Sequence, residues 1–252
     1  MAALTRPMPA FARVLARLFA IQAAWNSERM QGVGFGWAAE PALRELEGDG
    51  DGARYRTALA RESGFFNAHP YLAGLAVGAS VRAELEGEPA EKIERLRGAL
   101  CGPLGSLGDR LFWASWLPAC AAVGIALAAF GARTWAALAF LALYNAGHVL
   151  CRVWALRAGW RRGAMVALAL SSPPVRLASR VAAPLAGAAV GFAIPVAFLW
   201  QTPGAPLWAR ASAGAGAVLV ALLLRLGLIR IGAAAVCAVI LGATWLLGLL
   251  WF

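Results

Sequence analysis

The chain has 252 residues, 61% of them hydrophobic, a mean hydropathy of +0.66 and a formal net charge of +10. Ordinary soluble domains are nearer ~45–50% apolar, so this composition excludes one and puts the membrane first. The charge does not fit a nucleic-acid binder: residues 1–109 hold 12 basic and 13 acidic residues, whereas residues 110–252 hold eleven arginines and no acid. Arginines that flank apolar runs read as topology signals rather than as a phosphate-binding stripe.

In chain order, residues 10–25 read as a basic amphipathic helix. Phe11, Val14, Leu15, Leu18, Ile21 and Trp25 share one side, and Arg13 and Arg17 take the other. Such a helix suits an anionic membrane surface first and a partner subunit second. The two arginines also deprive Phe11–Trp25 of the clean apolar run of a cleavable signal peptide. Gly32, Gly34 and Gly36 are expected to break the helix, Pro41–Glu47 to form a short one, and Glu47–Gly52 to be a solvent loop without calcium-loop spacing. Arg54–Glu62 reads as a charged helix. Phe65–Gly78 is apolar but too short to span, since a crossing needs about 20 residues, so a re-entrant hairpin near 65–79 is expected. Glu84–Arg97 returns to solvent, with Ile93, Leu96 and Leu100 as its packing stripe.

Five candidate spans come next: 111–130, 135–150, 181–200, 211–224 and 231–252. Between the second and third lie Arg152, Arg157, Arg161, Arg162, Arg176 and Arg180 with no acid, which assigns that stretch to the cytoplasm. Ser171-Ser172-Pro173-Pro174 marks a break within it. The reading is an all-α polytopic membrane protein. Residues 1–100 form amphipathic and cytoplasmic helices with the re-entrant hairpin, and residues 101–252 form a transmembrane helical bundle. Cys101, Cys120, Cys151 and Cys237 form no C-x-x-C pair and read as small buried hydrophobes; neither a zinc site nor any cofactor is expected.

Two segments carry the chemistry: Asn67–Tyr71 (NAHPY), and Gly102–Asp109, which ends on the last acidic residue of the chain. Both set polar side chains beside Gly or Pro within apolar surroundings. Irregular backbone at membrane depth is tolerated only inside protein or along a wet cavity, and transporters bind substrate at such places. A sugar needs carboxylate and amide partners for its hydroxyls and aromatics for its ring faces. Asn67, His69, Asp109, Phe66, Phe112 and Trp113 are of those types. Each also has a plainer reading. Asp109 could cap the 111–130 helix or pair with Arg110. His69 could be a buried histidine bonded to a carbonyl, and Asn67 a turn former. His148 reads as interfacial, and the tryptophans mostly as interfacial anchors.

The chain resembles the IID membrane component of the mannose/fructose/sorbose-family phosphotransferase system (PTS). The resemblance rests on Gln22–Gln31 with Gly34-Phe35, on Phe65–Tyr71, on Gly102–Gly105 and Leu107–Asp109, and on Leu111–Trp113. Tyr144-Asn145, Arg152–Trp154 and Arg161–Gly163 complete it. It implies a multi-pass subunit of the bacterial cytoplasmic membrane that pairs with IIC, in an oligomer of IIC–IID pairs, to move a hexose-type sugar inward. Soluble IIA and IIB phosphocarriers would phosphorylate the arriving sugar, so this chain would be no enzyme, and His69 and His148 would not accept phosphoryl groups. The expected sugar-binding residues are Asn67, His69, Asp109 and Phe66. Two positions depart from the family pattern: Arg110 comes after the Asp where a small polar residue is usual, and Ala68 replaces a usual Thr. They motivate an alternative, a non-transporting regulatory or scaffold subunit of a PTS-like complex. A membrane enzyme is a third reading, for which the acid-free second half offers little material.

Overall fold

A computed structural model describes residues 6–49, 52–201 and the isolated positions 204, 206 and 208. Among these the chain is helical, and the only β features are two isolated bridges. The expected spans 211–224 and 231–252 lie outside the described residues. The chain divides into two compact units. One gathers the described residues up to Cys120 with Phe140–Gly187; the other takes Ala121–Ala139 and the described residues from Ala188 onward.

In the first unit, α1 is Phe11–Leu18, and turns carry the chain on to Ala24, so the helix is shorter than expected. Its apolar stripe is not free to lie on a lipid surface. Val14, Leu18 and Ile21 are buried in the core with Phe35, Leu43 and Leu156, while Trp25 is left exposed. Helix α2, Gly32–Leu43, begins at the glycines expected to break it. A Cβ at Gly32 would overlap the Gly64 carbonyl, at Gly34 the Ile21 carbonyl, and at Gly36 the Ser63 side chain. Glycine's weak helix propensity costs about 1 kcal/mol per residue, and close burial against neighbouring backbone offsets it. Near the end of α2, Pro41 has no N–H to give the Trp37 carbonyl four residues back. Arg17 of α1 fills that vacancy, donating to the Trp37 carbonyl at 2.7 Å while its guanidinium sits 4.9 Å from the Trp37 ring centre.

A 3-10 turn, Arg44–Asp49, leads to α3, Ala53–Glu62. An extended run over 65–69 and a turn then lead into α4, Ala73–Leu85, which is buried along almost its whole length. The segment expected as a re-entrant hairpin is thus an extended strand-like piece and then one helix. Helix α5, Ala90–Gly108, does not stop at Gly102-Pro103. Leu100, Leu104 and Leu107, spaced for one helix face, are buried and hold it in register. Further along, a π-helical stretch runs over Asp109–Trp116. Helix α6, Leu117–Ala129, continues directly, so Ala90–Ala129 is one helix and the expected boundary at 100/101 falls inside it. Asp109 has helix on both sides; it is not the N-cap foreseen for 111–130.

Helix α7, Arg133–Arg162, absorbs the expected span 135–150 and the arginines at 152 and 157. It packs against α4 through glycines. Cβ atoms at Gly74 and Gly78 would meet the backbone at Leu156–Trp160, and one at Gly159 would overlap the Leu75 carbonyl. Small residues at this spacing let helix backbones approach closely. Arg82 of α4 closes the end of α7, donating to the carbonyls of Trp160 at 3.1 Å and Arg161 at 2.9 Å. After the short α8, Ala167–Leu170, and the foreseen break at Ser171-Ser172, α9 runs Pro173–Gln201 and starts on a proline, which suits a first helical position. Among the described residues three helices are long and apolar enough to cross a membrane: Ala90–Ala129, Thr134–Met165 and Val175–Ile194.

Buried ion pairs tie α3, α4 and α5 together. Arg97 donates to the carbonyls of Arg61, Glu62 and Gly64, closing the end of α3, and its Nε lies 3.5 Å from Glu62 Oε2. Ser80 donates to the other Glu62 oxygen. Arg61 grips Glu84 through two bonds of 2.7 and 3.1 Å. Burial raises the Glu62 carboxyl to about 7, against the pull of Arg97 and Ser80. Glu40 lies lower than an ordinary carboxyl: its burial acts the other way, but the Arg17 hydrogen bond, Arg44 and Tyr55 together outweigh it.

In the second unit, α6 ends on Gly131 at φ +90°. Gly131 N–H bonds the Ala128 carbonyl and Ala132 N–H the Leu127 carbonyl. That bond pair with a left-handed glycine is the Schellman stop, and α7 begins two residues later.

Candidate functional site

The NAHPY segment is held by the first of the resembling stretches. Asn26 Oδ1 accepts the N–H groups of Glu28 (3.1 Å) and Arg29 (2.8 Å), folding Asn26–Met30 into a tight loop with Met30 at φ +54°. From there Gln31 N–H reaches the Phe66 carbonyl at 2.9 Å, and Phe66 N–H reaches the Arg29 carbonyl at 3.3 Å. Gln31 also donates from Nε2 to the Ala68 carbonyl at 2.7 Å. These two stretches are thus one backbone clip. Pro70 keeps His69 out of the helical region, so the clip can stay extended until the turn.

Extended backbone alternates its side chains. Phe65 and Asn67 are exposed, whereas Phe66 and Ala68 are buried. Phe66 is fully buried against Phe35, 4.6 Å between ring centres, behind the segment in the core. Ala68 too is turned inward and lends its carbonyl to Gln31.

His69 is buried against the π-helical stretch. A Cβ at Gly108 would overlap the imidazole, so only glycine lets the two meet. The ring stacks on Phe112 at 5.2 Å and touches Trp113 and Tyr71. Nδ1 accepts the Tyr71 N–H at 3.3 Å, which in the neutral ring assigns the proton to Nε2. Among the described residues no group accepts from that Nε2–H. Burial lowers the imidazole to about 4, with Asp109 pulling it up and Arg152 pushing it down, so the ring is neutral near pH 7. The carbonyl bond foreseen as the plainer role of His69 is not made.

The π stretch explains how Asp109 and Phe112 can serve different sides. A π turn holds more residues than an α turn and re-aims the side chains after it, and such bulges occur often at functional sites. Ser115 stabilises it by donating to the Arg110 carbonyl five residues back, at 2.7 Å. Phe112 is buried under His69, Trp113 is half-exposed, and Asp109 and Arg110 are both exposed. Among the described residues no ion pair joins Asp109 to Arg110.

Behind His69 runs an aromatic stack foreseen only in part. The hydroxyls of Tyr71 and Tyr144 meet at 2.6 Å, and His148 lies face to face with Tyr71 at 4.9 Å. His148 is therefore buried rather than interfacial; its Nε2 lies 2.8 Å from Asn145 Oδ1. Arg152 closes the stack, its guanidinium 4.8 Å from the ring centres of both Phe19 and Tyr71. It donates to the carbonyls of Leu18 and Pro70, which locks the turn after His69 to the end of α1. The signal for Tyr71, Tyr144, Asn145 and Arg152 was their place in the resembling stretches, not hydropathy; Phe19 and His148 lie outside those stretches.

Around the buried His69 the amide of Asn67, the carboxylate of Asp109 and the indole of Trp113 are each exposed. The structure brings His69 and the Asp109 turn together and leaves Phe66 out. Such a set offers hydrogen bonds and a stacking face. Among the described residues no three His, Cys, Asp or Glu gather as a metal ion would need.

Residues 8–199 match the family model of the PTS system mannose/fructose/sorbose family IID component. The chain is 31% identical over 147 residues to the mannose-specific EIID component of Escherichia coli (strain K12), covering 56% of this chain and 51% of that protein. It is 32% identical over 144 residues to the fructose permease IID component of Bacillus subtilis (strain 168), covering 55% and 51%. With the sorbose-specific EIID component of Klebsiella pneumoniae the identity is 33% over 147 residues, covering 56% and 53%. The chain spans about half the length of the curated relatives it matches. Its fold is similar to a chain of the cryo-EM structure of the mannose transporter ManYZ with microcin E492, with a TM-score of 0.59 and 25% identity over 76% of this chain and 71% of that one. The family match covers the clip, the π stretch and the aromatic stack alike: this chain belongs to the mannose/fructose/sorbose family of PTS IID components.

Proposed function

We propose that this chain works with a IIC partner as the membrane part of a sugar permease, in the bacterial cytoplasmic membrane. Asn67, His69 and Asp109 help line the sugar path. The carrying observation is the packing of His69 on Gly108 and Phe112, which brings the extended NAHPY segment against the π-helical stretch while the described residues leave Asn67, Asp109 and Trp113 uncovered. Polar groups of that kind are expensive in a membrane unless they face a ligand, a wet cavity or a partner. The segment around 65–79 would then reach into the membrane from the cytoplasmic side. Phosphoryl transfer belongs to IIA and IIB, and this chain contributes binding and alternating access rather than chemistry.

The reading of a non-transporting scaffold leaned on an Asp109–Arg110 pairing and on Ala68; the first support is missing, since the two side chains form no ion pair among the described residues, and this favours the transporting reading. The decisive measurement is sugar uptake in membranes that carry this chain with its IIC partner. Asp109→Asn is expected to assemble normally and lose most uptake. Unchanged uptake and sugar affinity in that variant would reduce Asp109 to a helix residue. No uptake by the wild-type complex, correctly assembled and supplied with IIA and IIB, would favour the scaffold.

A further inference from the structure

The Arg161-Arg162-Gly163 stretch contributes nothing to the site above, yet it borders a cavity of about 570 Å³. Arg6, Met8, Phe11, Arg157, Trp160 and Arg161 line it. The volume is within the range of ligand pockets, ≈ 300–1,000 Å³. Arg157 and Arg161 are four residues apart on α7 and so share one face. Both are exposed, and among the described residues neither pairs with a carboxylate. Arg6, in contrast, pairs with Glu45. The Arg157 guanidinium sits 5.4 Å from the Phe11 ring centre, and Trp160 Nε1 donates to the Arg6 carbonyl at 2.8 Å, holding the wall of the cavity in place. The remaining wall, Met8, Phe11 and the Trp160 ring, is apolar. Paired cations over an apolar floor, at the basic end of a helix long enough to cross a membrane, meet the requirements of one ligand class.

We propose that this cavity binds the phosphate of an anionic membrane phospholipid, with the start of its acyl chains on the Met8–Phe11–Trp160 floor. The proposal rests on α7 crossing the membrane, not on sugar transport. A basic pocket at the cytoplasmic end of membrane helices is a recurrent place for acidic head groups. A free phosphate would satisfy the arginines but leave the apolar floor unused.

The test is native mass spectrometry of the full chain in neutral detergent, titrated with phosphatidylglycerol, phosphatidylcholine or inorganic phosphate. Wild type is expected to retain phosphatidylglycerol over phosphatidylcholine. R157Q/R161Q should weaken that adduct about tenfold or more, since each basic residue near a lipid surface contributes to attraction. R176Q/R180Q, which removes two exposed charges from α9, should leave it nearly unchanged, and R157K/R161K should keep most of it. An equal loss in the α9 pair would overturn the proposal, because net charge alone would then explain binding. So would displacement of the lipid by millimolar inorganic phosphate, which would assign the cavity to a soluble anion. If R157Q/R161Q does not fold, the wild-type comparison still decides: no preference for phosphatidylglycerol sinks the idea.

Discussion

The acid-bearing and acid-free parts of this chain bury arginine by different means. In the first, Arg97 enters the core with a carboxylate: Glu62 is its ionic partner, three carbonyls take its other protons, and the Phe35 ring lies under it. In the second, Arg152 is equally buried where residues 110–252 hold no acid, and it relies on two carbonyls and two aromatic faces. A buried charge needs compensation of some kind. A carboxylate is one form of it, and helix-end carbonyls with ring faces are another. The carboxylate route couples local stability to pH. The carbonyl and ring route contains no carboxylate and so lacks that particular coupling.

The largest effect that can break this contrast is loss of Arg97. Arg97→Met leaves the buried Glu62 without its partner and three carbonyls unfilled, and should destabilise by about 3–5 kcal/mol in denaturant titrations of the detergent-solubilised protein. A loss below about 1 kcal/mol would show that the network is not a structural centre. Next in size is the glycine seam. Gly78→Val drives a side chain into the α7 backbone and should cost about 3 kcal/mol. Gly98→Ala, on the open face of α5 where nothing lies within 4 Å, should instead stabilise. A smaller loss, about 1–3 kcal/mol, is expected for Arg152→Lys. An ammonium keeps the charge but cannot fork to two carbonyls while lying flat between two rings. Wild-type stability and uptake in this variant would show that charge alone suffices.

The smallest effect sharpens the contrast through pH. The folded Glu62 carboxyl lies above the unfolded value of 4.5, at about 7, so folded protein holds this proton over a window where unfolded chain has released it. Its contribution is fully present below pH 4.5 and is lost as pH rises towards about 7. The stability of wild type relative to Glu62→Gln should therefore fall across that window and level off above it. A difference that stays constant would mean that Arg97 holds Glu62 ionised throughout.

Much of the architecture was legible because hydropathy and charge report directly on solvent. The apolar runs after Asp109, the charged α3, the break at Ser171-Ser172 and the membrane class all come from transfer energetics. Local signals misled where packing overrode them. Gly32, Gly34 and Gly36 read as breakers because propensity counts their entropy cost but not the backbone they approach. Gly102-Pro103 read as irregular backbone because the buried Leu100, Leu104 and Leu107 face outweighs it only once a partner surface exists. Phe66 and Asn67 were both candidates for the site. Period-two geometry separates them, but only when the strand's inner face is known.

Composition and periodicity by themselves determined that this is a helical membrane protein with its acids confined to one end, and short motifs determined its kinship. Those properties depend on each residue's own solvation and on local spacing. Only the tertiary structure decided that two distant motifs form one clip, and that Asp109 lies inside a π-helical stretch rather than at a helix start. It also decided that Arg152 is a buried strut and not a topology signal. Each of these depends on which groups separated by tens of residues become neighbours, and no local free energy encodes that.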